Sequence, residues 1–215
     1  MTVLYLHGFA SGAGSTKARY FRDRFRERGV TFDALDLDAP DFTSMTMTRS
    51  LEQIAGAVAR AGDPVALIGS SLGGTLAILA ADRLSDRISR VVLLAPAVMF
   101  AKPGHHLLEP GRLEEWRRRG TLSFFHYALG EERPLRYAFY EDSLQYDAFG
   151  ARLVQPALVF QGIRDASVDC RTVERFALAR PNVTLSLLDD DHQLTASLPR
   201  IWEDVEPFLL AAPSR

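Results

Sequence analysis

Residues 69–73 read Gly-Ser-Ser-Leu-Gly, and the placing of the glycines decides which hydroxyl is able to react. A turn sharp enough to push one side chain out of a strand-to-helix junction strains the residue at its apex. It also brings the residues two places to either side so close that a Cβ would collide, which gives the pattern Gly-x-Ser-x-Gly. Ser71 has Gly69 and Gly73 in those places, whereas Ser70 would need glycine where Ile68 and Leu72 stand. Ser71 is therefore the candidate nucleophile. An apolar run at 65–69 enters the turn and a helix striped by Leu72, Leu76 and Leu79 leaves it, the context that the motif needs. The competing reading is a tight turn in which Ser71 only caps a helix.

A serine hydroxyl attacks well only when a base removes its proton, and the base needs an acid to orient it. After an elbow of this kind the chain order is nucleophile, acid, base. His192 follows the run 183–188 through three aspartates and is the histidine C-terminal to residue 150, so it is the candidate base. Asp165 lies four residues past the run 157–161 and is the candidate acid. Asp169 competes, but it stands where a helix begins and reads as an N-cap. Asp189, Asp190 and Asp191 sit too close in sequence to His192 to face it and read as a solvated turn. The tetrahedral oxyanion needs two fixed N–H donors. Leu72, at the N-terminus of the helix after the nucleophile, supplies one, and Phe9 in the loop His7-Gly-Phe-Ala10 supplies the other. His7 itself reads as a hydrogen-bonding residue of that loop.

The elements that must hold these groups alternate along the chain. Strands are expected at Thr2–His7, Thr31–Leu37, Val65–Gly69, Arg90–Ala95, Ala157–Gln161 and Val183–Leu188. Helices are expected around Ser15–Arg28, Thr48–Ala61, Leu72–Leu84, Asp169–Ala179 and Ser197–Ala211. Alternation of this kind predicts a mostly parallel sheet of about six strands with helices on both faces. From about residue 97 to 150 the alternation stops and aromatics crowd the sequence. A basic helical piece, Arg112–Arg119, precedes Thr121–Tyr127, a Gly130-Glu-Glu-Arg133 turn and Leu135–Tyr140, which together predict a hairpin outside the main sheet. About fifty residues are too many for a connecting loop, so this insertion reads as a lid on one domain spanning residues 1–215.

With 215 residues and a net charge of −2 the chain has room for a sizeable core and no basic footprint for nucleic acid. Its one cysteine, Cys170, makes no internal disulfide and fits a reducing compartment. No apolar run approaches a membrane span and no leader precedes the first strand, so a cytoplasmic location is expected. The stretch Gly8–Lys17 lies between a strand and a helix, yet it lacks the Gly-Lys-Ser/Thr ending of a phosphate loop. It also carries Lys17 where a dinucleotide fingerprint needs glycine, so no nucleotide is assigned. His105 and His106 are adjacent and without flanking ligands at metal spacing, so no metal or other cofactor is assigned.

Taken together these residues resemble the α/β-hydrolase superfamily over nearly the whole chain. The opening Leu4-Tyr-Leu-His-Gly-Phe-Ala-Ser-Gly12, followed by Ser15, Lys17 and Ala18, is similar to small bacterial esterases of the YqiA/YcfP type. The segment from Trp116 through Tyr137-Ala-Phe-Tyr-Glu-Asp142 to Tyr146-Asp147 is similar to hairpin inserts in other short hydrolases of this fold. The resemblance implies that the strand at Thr2–His7 matches the family's third, leaving a minimal version of the fold. It implies a serine hydrolase that cleaves acyl or aryl carboxylic esters through an acyl-enzyme, with a low-pH limb as His192 protonates. The small-molecule ester or thioester would enter an apolar pocket expected from Phe9, Val98, Met99, Phe100, Phe124, Phe125, Tyr137 and Phe139. Any one of these aromatics reads equally well as core of the insertion. Arg117–Arg119 reads as a solvated helix face, with a phosphate-bearing acyl carrier as the alternative. An acyl thioesterase, another triad-dependent hydrolase, and a hydrolase fold retained as a binding module are the remaining alternatives.

Overall fold

A computed structural model describes residues 1–62, 64–102, 105 and 108–210. Its strands are β1 (Thr2–Leu6), β2 (Thr31–Leu35), β3 (Val65–Ser70), β4 (Ile88–Leu94), β5 (Thr121–His126), β6 (Glu131–Arg136), β7 (Ala157–Gly162) and β8 (Val183–Leu188). The helices are α1 (Thr16–Glu27), α2 (Met47–Arg60), α3 (Leu72–Arg83), α4 (Pro110–Arg119), α5 (Ala138–Ser143), α6 (Cys170–Leu178) and α7 (Leu198–Leu210). Six strands form one parallel sheet in the order β2-β1-β3-β4-β7-β8, and β5 and β6 pair antiparallel on their own.

Alternation along each central strand builds two cores. Leu4, Leu6, Leu67, Val91, Leu93 and Val159 face one side, where α2, α3 and α6 cover them. Val3, Tyr5, Ala66, Ile68, Val92, Leu94 and Phe160 face the other, against Phe21 and Phe25 of α1 and Trp202 and Val205 of α7. Strands buried on both faces need continuous apolar sequence, which is what β3 and β4 carry. The helices end where local chemistry ends them. Ser15 caps α1 by accepting from the Ala18 amide, Thr46 caps α2 through Arg49, and Asp169 caps α6 through Arg171.

Because the sheet is parallel, every strand delivers its C-terminal end to the same edge. The chain runs from β1 outward to β2, then back across to β3, so the strand order reverses between β1 and β3. Loops at such a reversal diverge and leave a crevice, the usual ligand position in open α/β sheets. His7–Ala10 and Ser71 flank it.

The insertion differs from expectation in two details. β6 starts at Glu131, because Gly130 adopts a left-handed backbone (φ +70°) and closes the turn before the charged residues, which lie in the strand. Ala138–Ser143 is a short helix and no part of the hairpin. The inner face of the hairpin carries Leu122, Phe124, His126 and Leu135. Trp116 of α4 is buried against it, with its indole Nε1 donating to the Leu135 carbonyl at 2.8 Å. Among the described residues no helix is long and apolar enough to cross a membrane.

Candidate active site

Ser71 sits at the end of β3 with φ +54° and ψ −115°, a conformation an L-residue adopts only under strain, of order 1–3 kcal/mol. The surroundings enforce it. The Ser71 amide donates to the Leu94 carbonyl at 2.9 Å, and its carbonyl accepts from Gly74, Thr75 and Ala97. The flanking glycines explain the rest of the motif. A Cβ on Gly69 would overlap the Gly73 carbonyl, and one on Gly73 would run into the Leu6 carbonyl and lie 2.6 Å from that of His7. The adjacent Ser70 is buried, near the Tyr5 side chain.

Asp165 and His192 arrive from the ends of β7 and β8. His192 Nε2 lies 3.0 Å from Ser71 Oγ, and His192 Nδ1 lies 2.8 Å from Asp165 Oδ2. The order of these contacts places the proton on Nδ1 and leaves the Nε2 lone pair facing the hydroxyl. Asp165 is itself over-determined. Oδ1 accepts from the Ser167 and Val168 amides, both at 2.8 Å, and Oδ2 accepts from His192 and, at 2.9 Å, from Gln161 Nε2. Burial pushes this carboxyl up, but the bonds from His192, Val168 and Gln161 outweigh it and hold the group below the ordinary carboxylate value. It stays an anion beside the imidazole. Gln161, fully buried, is a member of the site that sequence reasoning missed.

The two amides expected to face an oxyanion stand at the crevice. Among the described residues neither the Phe9 nor the Leu72 N–H donates to a protein acceptor, so both are unengaged. Leu72 opens α3, whose dipole favours negative charge there. His7 is buried, with Nδ1 donating to the Gly8 carbonyl and Nε2 accepting from the Leu37 amide at 3.1 Å, so both nitrogens are in structural use. The aspartate triplet is more than a solvated turn. Asp189 is exposed beside Arg164, but Asp190 is 5% exposed and accepts from the Asp191 and Ser197 amides, while Asp191 accepts from Gln193. Together they shape the loop that carries His192.

The expected pocket residues divide. The Phe9 ring is the hub, 5.2 Å from Phe124, 5.5 Å from Phe139 and 5.6 Å from Phe42 between centroids. Phe124, Phe100, Met99 and Tyr137 are half-buried on this cluster. Val98 and Phe139 are completely covered and act as its packed base. Phe125 is a correction. In β5 alternate side chains face opposite ways, so with Phe124 turned inward Phe125 points to solvent, 47% exposed and packed edge-on against Tyr127. The hairpin is moored to the site by the Tyr127 amide donating to the Ala10 carbonyl at 2.8 Å, and by the buried contact of His126 Nε2 with Asp38 Oδ2 at 2.7 Å. Burial raises the Asp38 carboxyl, with His7 and His126 opposing it. Among the described residues no three His, Cys, Asp or Glu side chains gather at ligand spacing, and His106 lies outside the described residues.

The profile of UPF0227, an uncharacterised protein family, matches residues 2–206. Solved structures share the architecture. Mouse alpha/beta hydrolase domain-containing protein 10 aligns with a TM-score of 0.81 at 18% identity, covering 97% of this chain and 89% of its own. Est1E from Butyrivibrio proteoclasticus, with ferulic acid bound, gives 0.82 at 20% identity over 97% and 88%. Paleococcus ferrophilus monoacylglycerol lipase gives 0.74 at 16% identity over 94% and 92%. No curated protein matches the chain by sequence. The fold is that of the α/β-hydrolases.

Proposed function

We propose that this chain, which belongs to the uncharacterised protein family UPF0227, is a serine hydrolase of carboxylic esters with an acyl or aryl group on the carbonyl side. One observation carries the reading: an unbroken hydrogen-bonded relay from Ser71 through His192 to Asp165, begun at a residue held in a strained backbone conformation. Strain of this kind persists where the surrounding structure over-determines it, and here it aims the hydroxyl at the crevice.

In the first step Ser71 Oγ attacks the ester carbonyl while its proton passes to His192 Nε2. The imidazolium that forms is stabilised by the Asp165 carboxylate, which keeps its charge. The oxyanion takes the two unengaged amides of Phe9 and Leu72, donors that need no reorganisation as charge develops. Collapse expels the alkoxide, which receives the proton from Nε2, and leaves an acyl group on Ser71. Water then repeats the sequence with His192 as base, and the acid departs.

The aromatic cluster around Phe9 favours an apolar acyl or aryl group, and the inserted segment acts as a lid whose inner face supplies Phe124. The ferulic acid bound in Est1E is an aryl acid, and that relative and the monoacylglycerol lipase share this fold. The test is labelling with a fluorophosphonate probe, followed by hydrolysis of p-nitrophenyl esters. The wild type and Ser70→Ala should label and turn over, and Ser71→Ala should do neither. Labelling of Ser71→Ala, or an inert wild type, would refute the assignment.

A further inference from the structure

We propose that Lys17 is a positioning residue of this site: its ammonium group, buried beneath the loop that carries His192, anchors that loop at the Gln193 carbonyl and so fixes where the imidazole stands. The inference rests on the hydrolytic reading above.

Lysine is among the side chains least often buried, because removing an ammonium from water is costly unless the group is paired. Lys17 is nonetheless 9% exposed, in the first turn of α1, and its Nζ donates to the Gln193 carbonyl at 2.8 Å across 176 residues of sequence. That carbonyl belongs to the residue after His192. Burial lowers the lysine to about 8, with Asp191, Asp165 and Asp190 acting against it, so at neutral pH it is a cation among three carboxylates.

The loop needs such an anchor. Its internal bonds run from Asp191 to Asp190, from Gln193 and Leu194 to Asp191, and from Ser197 to Asp190. Those bonds give the loop a shape, and Arg164 ties its start to the loop after β7 through the Asp189 and Asp190 carbonyls, which leaves the stretch beyond His192 to be held. Among the described residues, the Lys17 ammonium makes the one hydrogen bond that reaches residues 193–196 from outside their own loop.

The other end of the anchor lies in α1, which packs on the sheet that carries the nucleophile. The Tyr5 side chain, buried in β1, stands near Ser15, which caps α1, and near Ser70, the neighbour of Ser71, and burial raises that phenol to about 12. Packing of α1 on Tyr5 and Ile68 therefore refers Lys17 to the strands beside Ser71, and its ammonium reaches on to the peptide beside His192. Hydroxyl and imidazole are referred to one frame. This also gives a use to the lysine that spoils the dinucleotide fingerprint in Gly8–Lys17.

Lys17→Met and Lys17→Arg test it. Hydrogen exchange over residues 189–196 should quicken about tenfold or more in Lys17→Met, with the central strands unchanged, since a charged hydrogen bond is lost at one place. For p-nitrophenyl acetate kcat should fall about 10- to 100-fold with KM within about twofold, because the loss falls on alignment. Lys17→Arg should recover most of both. Exchange and kcat within about twofold of wild type in Lys17→Met would overturn the proposal. So would a Lys17→Met chain that melts as a whole, or a Lys17→Arg chain as impaired as Lys17→Met. If the wild type proves inert to esters, the hydrolytic reading fails, and exchange at 189–196 still decides whether Lys17 holds the loop.

Discussion

Replacing Asp165 by Asn changes one atom and should disable the site through the tautomer of His192. The two carboxylate oxygens are not equivalent. Oδ1 faces two backbone N–H donors, those of Ser167 and Val168, so the amide must place its own oxygen there. Its NH₂ group then takes the place of Oδ2, where it meets His192 Nδ1–H and Gln161 Nε2–H, both donors. Gln161 cannot turn over freely, because Nε2 also serves the Gly162 and Val168 carbonyls. His192 relieves the conflict by moving its proton to Nε2, and a protonated Nε2 cannot accept from Ser71.

Regaining the productive tautomer sets His192 Nδ1–H against the N–H of the new amide and leaves both of those donors unmatched. At about 1–3 kcal/mol each the cost is about 2–6 kcal/mol, or about 30- to 10⁴-fold in rate. The upper end agrees with the loss of about 10⁴ in kcat for the same exchange in a serine protease. The assay is kcat and KM on p-nitrophenyl acetate at neutral pH, with the fluorophosphonate labelling rate as a second reading of nucleophilicity. KM should hold within about threefold. Asp169→Asn, which touches only the start of α6, is the control and should keep kcat within about threefold. A kcat for Asp165→Asn within tenfold of wild type would refute the reasoning.

Gly73→Ala should destabilise the fold by about 1–3 kcal/mol, since the new methyl meets the backbone of β1 and its loop, whereas Gly111→Ala, with open space around it, should be neutral or slightly stabilising; urea midpoints measure both, and equal midpoints would count against the elbow geometry. Acid should weaken the fold. Asp165, Asp190 and Asp169 are held below the ordinary carboxylate value, so the unfolded chain takes up their protons first; their stabilisation is complete above about pH 4 and is lost as the pH falls through the folded values. Asp38 has the opposite sign, because burial raises it and the folded state binds its proton first, which softens the loss. Urea midpoints that stay level between pH 4 and 2.5 would contradict the balance of these shifts.

What the sequence made legible follows the strength of local physics. β3 is found nearly to the residue, because a strand buried on both faces must be an apolar run, and β8, a half-exposed edge strand, matches through its alternating Val-Thr-Leu-Ser-Leu sequence. The elbow is legible for a harder reason, since two close backbone approaches leave glycine as the residue that fits. The hairpin is read less well. β6 buries only Leu135, so its charged first residues read as a turn, and α5 at six residues is too short to show a period. Gln161 looks like any strand end, and the pairing of Asp38 with His126 spans 88 residues and leaves no local mark. Lys17 did leave a sign, as the residue that broke the dinucleotide fingerprint, but a misfit does not say what it fits.

The insertion also explains why the groups around Ser71 are tightly framed while the aromatic cluster beside them is less so. Ser71, Asp165, His192 and the Phe9 loop each follow the C-terminal end of a strand in one continuous sheet, so the strand register sets their spacing. β5 and β6 pair only with each other, and two strands alone are marginal in water. Their order depends on what they lean on: Trp116, with its ring 5.1 Å from Phe124, the mooring of Tyr127 on Ala10, and Phe9 beneath. Phe9 belongs to both systems, with its amide unengaged in the loop after β1 and its ring packed under the hairpin. On the proposed reading, a substrate group that displaces Phe124 would act on the loop that offers the Phe9 amide, and binding under the hairpin and chemistry at Ser71 would be coupled through one residue.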